Sequence, residues 1–404
     1  MFRNIATLLA VAAVLSAAVL AGPTAYVINT TGETLSKINL QSGAVANNIV
    51  TLGSDIHCYP NQIKIRDTLA YVVLSGTHEI QIINLNTQST VGWITLPGGS
   101  NPYWMDFLDD HYAYVTLLTD NSLAKIDLQT RLMVKETPVG LSPEGVLIFG
   151  GKAYVAITGY DFSTYNWGQG QVAVYDPGLD SDTARINVQK NPQFLDFDNS
   201  GKIHVACTGD YSSTVGNIFI IDPLTDLAVD SIAIGGQPGQ IAVGPDNTAW
   251  IAAGGWVTNG EVYTYDALSR TILHGAADPV KVDYGANSVI AFQDTTTFVS
   301  CFANTVARLN SQGVTINDYA AGDDPISTDF NYRPGDANGD WLVNVGDAVY
   351  LINYVFKGGE APRFPAWRGN ANGDKSINVG DAVYLINYIF KNGAAPQVGP
   401  LWIR

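Results

Sequence analysis

The sequence predicts an all-β, seven-bladed β-propeller with a small α domain at its C-terminal end. Three observations carry this. A Tyr-Val-like strand motif recurs at a spacing of 40 to 50 residues. Glycine is abundant, at 40 of 404 residues, and charged residues are scarce, at 14%, which points to many short strands joined by turns rather than to a coiled coil or a solvated tail. After Phe330 the period changes to a different, 34-residue repeat.

The chain starts with a segment that reads as a signal peptide, residues 1–21. Arg3 supplies a short positive region, Ile5 to Leu20 carries no charged residue, and Val19-Leu20-Ala21 before Gly22 fits a small-residue cleavage site. Export to the outside of the cell or to its surface is therefore expected, and no later segment is apolar for long enough to span a bilayer. The three cysteines, Cys58, Cys207 and Cys301, are an odd number without a metal-binding or haem-attachment spacing and read as small buried residues.

Seven units follow. Their central strands are marked by Tyr26-Val27, Tyr71-Val72, Tyr114-Val115, Tyr154-Val155, His204-Val205, Trp250-Ile251 and Phe298-Val299. In each, a second strand ends on a polar residue, as in Ile38-Asn39-Leu40 and Ile126-Asp127-Leu128, where Asn or Asp can accept from the main chain of the following turn. A third strand comes next, and a Pro-x-x-apolar strand precedes most units, at Pro60, Pro102, Pro143, Pro192 and Pro238. Four strands per 40 to 50 residues is the arithmetic of a propeller blade. The first unit lacks its leading strand, and a matching segment, Pro325 to Phe330, stands at the far end. It is expected to pair with residues 25–29 and close a ring spanning 22–330, which protects edges that would otherwise invite aggregation. The repeated Tyr-Val, Ile-Asp/Asn-Leu and Pro-x-x-Ile elements resemble the YVTN-type seven-bladed propellers of bacterial surface proteins, over about residues 23–330. The resemblance implies the fold; relatives of this kind include binding proteins, surface-layer components and a few lyases, so it does not imply one function.

Residues 331–334 read as a short linker. Beyond it, Gly335-Asp336-Ala337-Asn338-Gly339-Asp340 returns as Gly369-Asn370-Ala371-Asn372-Gly373-Asp374, and Asn-Val-Gly-Asp-Ala-Val-Tyr-Leu-Ile-Asn-Tyr occurs twice. Oxygen-bearing residues at positions 1, 3, 5, 9 and 12 of a loop are what a calcium ion with six to eight oxygen ligands needs. They are Asp336, Asn338, Asp340, Asn344 and Asp347 in the first loop, and Asn370, Asn372, Asp374, Asn378 and Asp381 in the second. Leu342 and Ser376 would add main-chain carbonyls at position 7. Two calcium ions are thus expected in two EF-hand-like loop–helix repeats, with helices over 347–356 and 381–390. Trp341 and Lys375 stand where such loops usually have glycine, at the sixth position. The tandem, residues 335–404, resembles a type I dockerin. The resemblance implies calcium-dependent attachment to a cohesin-like partner through Val345, Gly346, Ile352, Asn353 and Lys357, and through Val379, Gly380, Ile386, Asn387 and Lys391. Both copies carry the same five residue types, which allows two orientations of binding. Val-Gly stands where cellulosomal dockerins commonly carry hydroxyl residues, which favours a different cohesin-like partner.

Loops entering the inner strands and loops joining second to third strands share one propeller face. That face offers Tyr59, Tyr103, Trp104, Tyr160, Tyr165, Trp167, Tyr211 and Trp256. Flat aromatics beside Asp and Asn suit a sugar ring or a protein ligand; packing among themselves is the competing role. Glu144 and His57 fall on the same face and are the candidates for acid and base, but the five histidines show no metal-ligand spacing and no nucleophile or phosphate-loop motif appears. Residues 22–332 hold 13 Lys and Arg against 31 Asp and Glu, and residues 333–404 hold seven against six. The acidic charge belongs to the propeller and excludes a nucleic-acid partner. The expectation is an exported binding or scaffold protein docked through its calcium module. A polysaccharide lyase or glycoside hydrolase carried by the same module is one alternative. A structural surface or filament component that self-associates through it is another.

Because clustered carboxylates repel one another until a cation is present, EDTA should unfold the C-terminal module and leave the ring folded. A calorimetric scan in which no transition moves with EDTA contradicts this.

Overall fold

The computed structural model describes residues 22–403, so the leader read at 1–21 lies outside the described residues. Seven antiparallel sheets surround a central channel. The inner strands are Pro60–Arg66, Pro102–Phe107, Pro143–Phe149, Pro192–Phe197, Ile241–Val243 and Ala286–Ala291 for blades two to seven, and Pro325–Phe330 for blade one. Pro325–Phe330 pairs with Thr24–Asn29, placing Phe330 opposite Ala25 and Ser327 opposite Ile28, as the repeat arithmetic requires. Blade six departs from the pattern: its outer edge is shared by Ile272–His274 and Val280–Val282, both paired with Gly260–Asp266.

Burial explains the repeat. The second strand of each blade, such as Leu69–Leu74, is packed on both faces by neighbouring blades and is almost wholly buried, so its sequence is a continuous apolar run. Outer strands such as Leu132–Pro138 alternate in exposure instead. The polar residue closing each third strand does what was expected of it. Asn39 Oδ1, for example, accepts from the main-chain N–H groups of Gln41 and Ser42 at 3.0 and 2.9 Å, and Asp127 Oδ1 accepts from those of Gln129 and Thr130, both at 2.9 Å.

Inner strands of adjacent blades splay apart, and side chains bridge them. Gln62 exchanges two hydrogen bonds with the main chain of Met105. Asp329, Asp106 and Asp196 each accept from a main-chain N–H of the next blade, at Ile65, Ile148 and Val243, all at 2.7 Å.

The C-terminal module sits on the face at the Arg66 end of the inner strands. Its helices are α1, Val345–Lys357, and α2, Val379–Lys391. Each starts two residues before the expected position, because Asn344 and Asn378 cap them. Their side chains accept from Gly346 and Gly380, and Asp347 and Asp381 reach back to the cap N–H, forming capping boxes. The helices share a small core of their own built on Leu351 and Leu385. Several other apolar residues of the module join the propeller. Trp341 and Trp367 enter the core of Phe292, Phe298 and Phe330, and Tyr332, within the segment read as a linker, is only 8% exposed there. Phe364, Leu401 and Trp402 reach other blades. Together with Pro365 they wall a cavity of about 200 Å³ at this end of the channel.

Burial pushes the carboxyl of Asp329 up to about 6, although the N–H groups of Ile65 and Phe330 pull it down. An unfolded Asp titrates near 3.9, so the folded chain holds the extra proton between those values. The stability this group contributes is complete below about pH 4 and is lost as pH rises through about 6, by no more than about 3 kcal/mol. Urea unfolding at pH 4 and pH 7 should therefore show a smaller pH-dependent loss in Asp329→Asn than in the parent; an unchanged slope contradicts the assignment.

Candidate functional site

The open end of the channel is built by a repeated irregularity. In six blades the pairing of the inner strand with its neighbour slips just after the first residue. The residues left unpaired are Ile326, Asn61, Tyr103 with Trp104, Glu144 with Gly145, Gln193 and Asn287. A bulge re-aims side chains, and here it turns one or two from each blade towards the mouth. Gly145 is required at its position, because a Cβ there would lie 2.4 Å from the carbonyl oxygen of Gln193. Blade six reaches the mouth through Gln237, Gly239 and Gln240, before its short inner strand.

The resulting pit encloses about 220 Å³. None of the described residues lining it is charged. Five carboxamides (Asn61, Gln193, Gln237, Gln240 and Asn287) meet Tyr103, Trp104, Tyr211 and Trp256 there. Gln193 is oriented by neighbours: Thr208 Oγ1 lies 2.7 Å from its Oε1, and its Nε2 donates to the Tyr211 hydroxyl at 3.4 Å. Glu144 occupies the same bulge position and carries a buried Oε2 with no hydrogen-bond partner. Desolvation pushes its acid up to about 8, with Gln193 opposing, so the ring of bulge residues is uncharged near neutral pH.

The aromatic residues expected on this face divide into three groups. Tyr103, Trp104, Tyr211 and Trp256 line the pit. Trp104 stands edge-on to Phe194, with ring centres 4.9 Å apart. Trp256 lies over Gly254 and Gly285 and edge-on to Tyr284 and Phe302, and is still 53% exposed. Tyr160 and Trp167 pair across the small hairpin Tyr160–Asp161 and Asn166–Trp167 and pack on each other at 4.7 Å. Tyr165, at the tip of that hairpin, and Tyr59, on the rim of blade two, are exposed away from the pit. His57 neighbours Tyr59. With blade three between it and Glu144, no contact joins the two among the described residues. Two of the five carboxamides, Asn61 and Gln193, carry a sequence signal, since each directly follows the proline that opens an inner strand.

Each C-terminal loop wraps around its acidic residues. Asp336 is fully buried and accepts from the N–H groups of Gly339 and Trp341. Trp341 takes the left-handed conformation that the sixth loop position demands (φ 69°), whereas Lys375 does not. Asp347 accepts from Asn338 and Asn344, and Asp381 from Asn372 and Asn378. Burial, reinforced by Asp336 and Asp340, pushes Asp347 up to about 6; burial also raises Asp381, with Asp374 adding to it. Among the described residues no three Asp, Glu, His or Cys side chains gather as a metal group by themselves, so a cation here depends also on Asn and main-chain oxygens. The residues fit a hard cation on two counts. Oδ1 of the fully buried Asn370 has no hydrogen-bond partner, and the two oxygens of Asp347, each engaged by one N–H, retain a second acceptor site.

One residue ties the first loop to the propeller. Arg368, fully buried, forms an ion pair with Asp336 and donates to Gln293 of blade seven. Its guanidinium lies 5.2 Å from the ring centres of both Tyr332 and Trp341. Gln293 in turn donates to the carbonyl of Gly339 at 3.4 Å.

Of the residues expected to meet a partner, Val345, Lys357, Val379 and Lys391 are exposed, and Gly346, Ile352, Asn353, Gly380, Ile386 and Asn387 are partly so. Val349, Phe356, Val383 and Phe390 extend the same exposed surface in both helices.

The architecture defines a seven-bladed propeller with a helical pair seated on one face. The sequence matches no known protein family and no curated protein. Solved structures share the ring. Hydrazine synthase of Kuenenia stuttgartiensis is similar over 69% of this chain and 91% of its own, at 15% identity and a TM-score of 0.54. A streptogramin B lyase is similar over 68% of this chain and 88% of its own, at 11% identity and a TM-score of 0.52. At these identities the likeness is one of fold.

Breaking a buried ion pair from one side costs about 3–5 kcal/mol. Arg368→Met should therefore lower the unfolding temperature of the module in differential scanning calorimetry and, through Gln293 and the core around Tyr332, that of the ring by a smaller amount. A shift confined to a separate module transition contradicts the shared core.

Proposed function

We propose that this is a secreted, surface-associated recognition protein. The propeller's open mouth binds a neutral ligand, best matched by a glycan, and the C-terminal module attaches the protein to a cohesin-like partner in a calcium-dependent way. The observation that carries the reading is the uncharged pit of five carboxamides and five aromatics in a ring with 31 acidic against 13 basic residues. Carboxamides both donate and accept, as sugar hydroxyls require, and aromatic faces cover the apolar side of a sugar ring. An acidic shell repels anions and leaves a neutral ligand unaffected.

The module sits on the opposite end of the channel, and its exposed helix surfaces face away from the shared core. This supports attachment at one end and recognition at the other. In the first loop, Asp336, Asn338, Asp340, the Leu342 carbonyl, Asn344 and Asp347 would hold calcium. In the second, Asn370, Asn372, Asp374, the Ser376 carbonyl, Asn378 and Asp381 would do so. The ion would supply the positive charge that the clustered carboxylates lack.

The protonated Glu144 gives some weight to a glycan-cleaving reading, since an acid held neutral at pH 7 can donate a proton. Glycoside hydrolysis ordinarily takes two carboxyl groups flanking the bond, and neither Glu144 nor any other described carboxyl lines the pit. Binding without cleavage is therefore the favoured reading.

On a glycan array, the parent should retain neutral glycans, and Gln240→Ala and Trp256→Ala should each weaken retention about ten-fold or more, as loss of one good hydrogen bond or stacking contact would. Retention of the same glycans at the same strength by both variants sinks the proposal.

A further inference from the structure

The pit does not end at the channel mouth. A second hollow of about 430 Å³ runs outward between the loops of blades five and six. Tyr211, Gln237, Ala253 and Trp256 line both hollows, so the two are continuous across a threshold formed by two aromatic side chains. Another depression, between blades four and five beside Trp167, shares no lining residue with the pit. The pit is thus continuous with the groove between blades five and six and shares no lining with this depression.

The chemistry of the groove matches that of the pit. Ser212, Thr214 and Thr258 bring hydroxyls and Asn259 a carboxamide. The one acidic residue there, Glu261, is paired with Lys281 at 2.7 Å. The threshold is rigid on its blade-six side, because Trp256 is held between Gly254, Gly285, Tyr284 and Phe302 while half of it stays exposed. A ligand filling only the pit leaves Trp256 and Tyr211 half covered. A ligand that continues past them uses both sides of each ring's position.

We infer that pit and groove form one extended site for a linear, uncharged oligosaccharide, with a terminal residue in the pit and the following residues along the groove between blades five and six. This rests on the glycan reading of the mouth and adds chain length and direction to it. Hydroxyls and carboxamides spaced along a groove exchange hydrogen bonds with successive sugar rings, and the aromatics at the threshold provide stacking where one ring hands over to the next.

The test uses the full-length protein in calcium, titrated with cello-, xylo-, manno- and chito-oligosaccharides of one to six residues. Binding is followed by tryptophan fluorescence and calorimetry. Affinity should rise by at least about ten-fold, which is 1.4 kcal/mol, between one residue and about four, and then level off. Replacing the exposed Thr258 and Asn259 together by Ala should return the longer chains to the affinity of the monosaccharide and leave the monosaccharide itself unchanged. Gln240→Ala should weaken all lengths alike. Affinity independent of length overturns the extended site while leaving recognition at the mouth in place. Binding of neutral peptides and of no sugar in the series overturns the glycan reading itself.

Discussion

The strand Pro325–Phe330 is the constraint on which the rest of the structure depends. A propeller made from one chain has to join its last blade to its first, and here six residues do so by pairing with Thr24–Asn29. The same strand contributes Ile326 to the open mouth and Asp329 to the side-chain bridge across to blade two. Two residues further on, Tyr332 lies in the core that seats the helical module and stacks against Trp341 at 5.9 Å. Ring closure and module docking are thus consecutive events on one short stretch of chain. Arg368 joins them by reaching from the module to both Asp336 and Gln293.

This arrangement makes the two ends of the channel unlike. One end is covered by Phe364, Pro365, Trp367, Leu401 and Trp402. The other is left to the bulged residues, whose amides are oriented by the fold: Asn61 donates to Ser75, Gln193 to Tyr211 and Asn287 to Asp324. The bulges cost six blades a ladder position each, and they recur at the same place in the strand, where they convert the first turn of each inner strand into a displayed side chain. The displayed set is uncharged although the ring around it is acidic.

Much of the ring was legible in the sequence. Tyr-Val strands are buried on both faces and so are apolar throughout, the Asn or Asp after each third strand answers its turn's N–H groups, and the missing first strand pointed to Pro325. The loop–helix repeats were equally plain, since identical residues recur 34 positions apart. The helix starts were misplaced by two residues because Asp347 and Asp381 were read only as ligands and not also as members of a capping box. Less legible was the docking of the module. Its seats are single aromatics, Trp341, Phe364, Trp367 and Trp402, in irregular segments without periodicity, and their partners lie in blades far away in sequence. The mouth was half legible. Loop aromatics stood out, but several of them, such as Tyr160 and Trp167, pack on each other. Of the carboxamides that line the pit, Asn61 and Gln193 follow the prolines of strands whose pattern is otherwise structural, and Gln237, Gln240 and Asn287 carry no such mark.

The central claim is that the two C-terminal loops and the ring are coupled through the Pro325–Tyr332 stretch. Hydrogen exchange measured by mass spectrometry, with the protein in calcium and after chelation, tests it most directly. The account predicts that chelation speeds exchange in the loops around Asp336 and Asp381. It also predicts faster exchange in Pro325–Phe330 and in the turn of Gln293, while strands of blades three and four stay protected. Faster exchange confined to residues beyond 335, with Pro325–Phe330 and Gln293 unchanged, would contradict it.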